Sequence, residues 1–130
     1  MAHLTIQYAP AVEDTIDIQS MCEALRVVMV EQQIFPVGGI RVRAWPTPHF
    51  AVADHHPENL YVDLHLRMGA GRTMEQKKAA GEAIMEKAQM VFKPLLAEPH
   101  FALALEIIEI DKELSWKTNS IHPRLKAEGK

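Results

Sequence analysis

A run of period-two alternation, a run of period 3.6 and a second period-two run follow one another in the first third of this chain, and the same order returns in the second half. No other feature restricts its fold as strongly. In LTIQY, Leu4, Ile6 and Tyr8 alternate with Thr5 and Gln7, the pattern of a half-buried strand that starts almost at the first residue. From Asp17 to Gln32 the apolar positions Ile18, Met21, Cys22, Leu25, Val28 and Met29 are spaced by three and four, one face of an amphipathic helix. Ala24, Val27 and Val30 widen that stripe, enough to meet a neighbouring subunit on one side. IFPVGG ends the helix, because Pro36 brings no N–H and Gly38 and Gly39 permit a tight turn. IRVRAW then alternates again, with Ile40, Val42 and Ala44 opposite Arg41 and Arg43. Strand, helix and strand over this length make one right-handed βαβ unit.

The stretch WPTPHFAVADHHPENL reads as a long connection with a short strand at His49–Val52. In YVDLHLRMG, Val62, Leu64, Leu66 and Met68 face inward and Tyr61, Asp63, His65 and Arg67 outward. GAGRT turns the chain into a second helix, with Thr73 and Gln76 at the spacing of a capping box. Its buried face is Ala83, Ile84, Ala88, Val91, Phe92, Leu95 and Leu96, and Pro94 and Pro99 bracket its end. FALALEIIEI, apolar on both faces, reads as an interior strand. LSWKTNSIH reads as a further short strand reaching a neighbour, and residues 125–130 as a solvated tail after a single domain at 1–124. The expected class is α/β (α+β in some schemes): two βαβ repeats in a four-stranded mixed sheet with both helices on one face. The other face is expected to be rich in Leu, Ile and Val, and so to pack against other copies of the chain.

With 130 residues, 48% of them hydrophobic, and a formal charge of −3, the chain suffices for one core and offers no basic footprint for nucleic acid. Its apolar runs are too short to span a membrane and MAHLTIQY lacks the regions of a signal peptide, so cytoplasmic residence is expected. Cys22 is the only cysteine, which forbids an internal disulfide or a thiolate metal site and fits a buried structural thiol.

Chemistry is expected where basic groups gather at strand ends. Arg41 and Arg43 lie on one strand, Arg67 ends another, and Arg72 follows Gly71 at the start of the second helix. A helix N-terminus and a guanidinium together suit a carboxylate. ADHHPE, with His49 and His65 nearby, carries metal-capable side chains without a metal-ligand spacing, and no metal site is expected.

MAHLTIQY, QIFPVGGIRVR, LRMGAGRTMEQKKAAGE and LSWKTNSIH together resemble the 5-carboxymethyl-2-hydroxymuconate isomerases of the tautomerase superfamily, over nearly the whole chain. The resemblance implies a tautomerase-like homotrimer that moves a proton along a small conjugated keto/enol dicarboxylate, with no cofactor, in bacterial breakdown of homoprotocatechuate. It implies a chain-terminal amine as general base, at Ala2 after methionine removal, where the family has proline. It further implies Arg41 and Arg72 as catalytic arginines, with Arg41, Arg43, Gly71 and Arg72 binding the carboxylates. A second reading, from another class, is a non-catalytic trimeric protein that binds small anions. A third is an ordinary enzyme in which proline has been changed to alanine.

Overall fold

The computed structural model describes residues 1–130. Strand β1 is Ala2–Tyr8, followed by helix α1 at Ile18–Glu31, β2 at Ile40–Pro46, β3 at Leu60–Gly69, α2 at Met74–Val91, α3 at Lys93–Leu96, β4 at Phe101–Ile110 and α4 at Ile121–Ala127. The sheet order is β2-β1-β3-β4. β1 is parallel to β2 and β3 is parallel to β4, while β1 and β3 meet antiparallel in the centre. Each parallel pair is one βαβ unit, so the sequence repeat is a structural repeat.

Local chemistry sets the helix ends. The Asp17 carboxylate accepts the Ser20 amide at 3.0 Å and starts α1. At α2 the Gln76 amide donates to Thr73 Oγ1 at 3.1 Å while the Thr73 amide donates to Gln76 Oε1 at 2.9 Å, the reciprocal capping box. One face of the sheet carries Leu4, Ile6, Val62, Leu64, Leu66 and Met68, all buried beneath Met21, Leu25 and Met29 of α1 and Ile84 and Ala88 of α2. No helix is long and apolar enough to cross a membrane.

Four sequence expectations are corrected. β4 is an edge strand and not an interior one; Phe101, Leu103, Leu105 and Ile107 pack against the core while the alternate Ala102, Ala104 and Ile108 are exposed. The face opposite the helices is polar, since the alternation that buries Leu and Val puts His3, Thr5, Arg41, Arg43, Asp63, His65, Arg67 and Glu106 there. His49–Val52 forms no strand. The connection instead turns through Ala53 and His55, at φ 51° and 65°, and is tied by Asn59 Nδ2 donating to Asp54 Oδ1 at 2.8 Å. Left-handed backbone cannot continue a pleated ladder. The fourth concerns the C-terminal segment, where residues 115–119 have no regular structure and α4 runs through residues expected to be tail. Cys22 is half-buried against the core, and burial raises its thiol pKa, which leaves it a packing residue.

Candidate active site

Because β1 begins at Ala2, the chain terminus lies at the edge of the core with no slack. Ala2 is fully buried and pairs with Ile40 on one side and Met68 on the other. The Met1 carbonyl accepts the Gly69 amide at 3.0 Å. A Cβ on Gly39 would come within 3.2 Å of Met1 Cα, and one on Gly38 within 2.6 Å of His122 Nδ1. The glycines read from sequence as a turn signal therefore also make room for the terminus and for α4.

Arg72 reaches this place from the start of α2. Its Nε donates to the Ile34 carbonyl at 2.9 Å, its Nη1 donates to the Gly69 carbonyl at 2.9 Å, and its guanidinium lies 5.1 Å from the centre of the Phe35 ring. Two carbonyls and a ring fix this cation in one orientation. The terminal amine, on Met1 in the structure, is held below its ordinary pKa of 8.0, first by burial and then by the charges of Arg72 and Lys117. Gly71, at φ +113°, turns the chain into Arg72 and is exposed. At the first turn of α2 the capping box engages the Thr73 and Gln76 amides, and Arg72, just before it, gives Nε and Nη1 to backbone carbonyls.

Arg41 stands on the polar face beside the terminus. Its Nε and Nη2 both donate to His3 Nε2, at 3.0 and 2.7 Å, and its Nη2 lies 3.8 Å from Met1 Sδ. The pairings put Arg41 and Arg67 on either side of His3, with Arg43 one step along β2. Arg43 is exposed and makes no side-chain hydrogen bond or ion pair, and its charge is among those that act on His3.

His3 is a residue that the sequence reading missed, although its position, opposite in alternation to Leu4 and next to the terminus, was legible. It is 9% exposed. Burial, then Arg41, Arg43, the terminal amine and Arg67, push its pKa down to about 4. The imidazole is thus a neutral acceptor, with its proton on Nδ1. Since the folded pKa lies below the unfolded value, stability is intact above about pH 6.5 and is lost as pH falls toward 4, where only the unfolded chain takes up the proton. One such proton costs at most about 1.4 kcal/mol per pH unit. Urea unfolding at pH 7 and pH 5 should therefore show a smaller loss in His3→Gln, which accepts without titrating; an equal loss in both proteins would contradict this.

A further cluster joins His56, Glu58 and His100, whose ligating atoms lie within 4.8 Å of one another. The Glu58 amide donates to His56 Nδ1 at 3.1 Å, and the His56 and His100 rings are stacked at 4.3 Å. That arrangement occupies one imidazole lone pair and turns the rings parallel, which suits a pinned loop better than shared coordination of an ion.

The paired parallel βαβ units, joined antiparallel at the centre of one sheet, are the fold of the tautomerase superfamily. The description 5-carboxymethyl-2-hydroxymuconate isomerase matches residues 2–125, and the chain belongs to that family. A 5-carboxymethyl-2-hydroxymuconate Delta-isomerase of Escherichia coli is 28% identical over 126 residues, 97% of this chain and 100% of its own. The crystal structure of a 5-carboxymethyl-2-hydroxymuconate isomerase from Deinococcus radiodurans R1 is 36% identical and superposes with a TM-score of 0.89, covering 95% of this chain and 92% of that one. A fused 4-OT symmetric trimer, 17% identical, shares the fold at a TM-score of 0.61 over 89% of this chain and 93% of its own.

Proposed function

We propose that this isomerase, processed to Ala2, moves a proton along the conjugated keto/enol system of a small unsaturated polycarboxylate, 5-carboxymethyl-2-hydroxymuconate or a near analogue, in cytoplasmic breakdown of aromatic acids. The observation that carries this reading is the head of β1, where the chain terminus is pinned by the Met1–Gly69 hydrogen bond beside Arg41 and an Arg72 guanidinium that two carbonyls hold; the amine of Met1 is itself held below its ordinary range there. Removal of Met1 moves the amine by one residue, about 3.3 Å along the strand, to the head of β1. There the neutral amine takes the hydroxyl proton of the dienol, the double bonds shift as the C–O bond becomes a carbonyl, and the proton returns at a carbon of the conjugated chain. The product is an isomer and nothing else is consumed. Arg41 binds a carboxylate, and Arg72 favours the neutral base and opposes the negative charge that develops on the carbonyl oxygen.

A homotrimer is part of the proposal. β4 leaves a backbone edge open, and Leu114 and Trp116, which follow it in the chain, are 72% and 85% exposed. The trimeric state of the fused 4-OT neighbour, which shares the fold, supports the number three. One preparation tests the whole reading. Its intact mass should show Met1 removed, sedimentation should give about three times 14.7 kDa, and it should ketonise 5-carboxymethyl-2-hydroxymuconate. A processed trimer that binds the acid without turning it over would replace the isomerase with an anion-binding protein.

A further inference from the structure

The family's nominal compound carries two carboxylates on its muconate chain and a third on its carboxymethyl arm. Arg72 has already committed Nε and Nη1 to backbone carbonyls. Beside the terminus lies a cavity of about 310 Å³, walled by Met1, Gly39, Arg41, Lys117, Asn119 and His122 among others. Arg41 is the only arginine on that wall, and Lys117 is its only other strong cation. Lys117 is exposed and makes no ion pair; Lys78, Lys87, Lys93, Lys112 and Lys126 make none either, and what sets Lys117 apart is its place on this wall.

The segment bearing Lys117 is held against the site although it has no regular structure. Asn119 Nδ2 donates to the Gly38 carbonyl at 2.8 Å, and Asn119 Oδ1 accepts the Ile121 amide at 2.8 Å. His122 fills the space that the missing Cβ of Gly38 leaves. Two anchors on either side of one turn thus hold the segment beside the cavity, and Lys117 is near enough to the terminal amine to bias its proton affinity.

We propose that Lys117 is a substrate-specificity residue that binds the carboxylate of the carboxymethyl arm, with Asn119 as its positioning residue. This rests on the isomerase reading for the identity of the acid. The ammonium is a compact point charge on a flexible stem, suited to a carboxylate whose position varies with the arm's torsions, whereas Arg41, fixed by His3, suits one on the planar chain. Lysine at this point would let the pocket distinguish acids that carry the arm from those that lack it.

The test compares 5-carboxymethyl-2-hydroxymuconate with 2-hydroxymuconate, which lacks the arm, on processed wild type, Lys117→Ala and Lys117→Arg. Kd is read by calorimetry at a pH where turnover is slow, and KM where the proteins are active. Lys117→Ala should weaken the carboxymethyl acid about tenfold and leave 2-hydroxymuconate within twofold, and Lys117→Arg should restore most of the difference. Asn119→Ala should weaken the same acid selectively if it folds. Equal loss for both acids, or none for either, overturns the assignment. Charge-selective binding without turnover would instead overturn the isomerase reading and leave the Lys117 assignment standing.

Discussion

Ala2→Pro in the processed chain is expected to raise kcat by roughly tenfold or more, while KM changes by less than about threefold. The amine in this protein would be primary and free to rotate about its bond to Cα, so its lone pair points at the reacting carbon only part of the time. A proline ring removes that rotation and makes the amine secondary. The ring adds two methylenes, Cγ and Cδ, that join the Ala2 Cβ to its nitrogen beside a side chain already packed in the core, while the departure of Met1 frees the space that its carbonyl occupied at that nitrogen. Arg41, Lys117 and Arg72 are untouched by the change, which is why binding should hardly move. Steady-state kinetics on both proteins, with the terminal residue verified by mass, decides the matter. An unchanged kcat in fully processed Ala2→Pro would show that orientation of the base does not limit the rate and would favour the anion-binding alternative.

The fold was legible wherever one periodicity ran long enough to leave no choice. Leu4, Ile6 and Tyr8, the α1 stripe from Ile18 to Met29, and the Thr73–Gln76 pair each appear in the structure in the role the sequence assigned them. β4 misled because apolar residues on both faces describe either a strand covered by its own chain or an edge strand that exposes apolar surface. A single sequence does not separate the two. The polar character of the open face was encoded in Arg41, Arg43, Asp63, His65 and Arg67, each read as outward. Strand-by-strand reading did not sum them across the sheet, a step that needs the register of β1 against both neighbours.

For the candidate site, the sequence offered residue types and little of the geometry around them. Arg41 and Arg72 both approach the terminus, but the partners that orient them, His3 for one and the Ile34 and Gly69 carbonyls for the other, are distant in sequence or belong to the backbone. No motif records a backbone acceptor. Lys117 and Asn119 lay in a segment read as a strand, and the anchoring of Asn119 to Gly38 spans 81 positions of sequence.

Arg72→Ala is expected to lower kcat/KM by about a hundredfold or more, the range for removing one preorganised charge from the place where negative charge develops. The same substitution should move the pH profile in a determined direction. The amine works as the neutral base, so activity rises with pH through its pKa; Arg72 lowers the pKa of the amine on Met1, and beside the amine of the processed chain its charge is expected to act in the same direction, so that its loss should shift the rising limb to higher pH. Arg72→Lys separates the two effects. It keeps a positive charge near the amine, so the limb should stay close to its wild-type position, but an ammonium cannot span the Ile34 and Gly69 carbonyls as the guanidinium does, and the rate should still fall. Leaving those carbonyls without a donor is also expected to cost about 1–3 kcal/mol of stability, so rates must be compared well below the unfolding transition of each variant. A limb that did not move in Arg72→Ala would mean that burial alone holds the amine below its ordinary range. A limb that moved without loss of limiting rate at high pH would confine Arg72 to tuning the base and leave stabilisation of the carbonyl oxygen to Arg41.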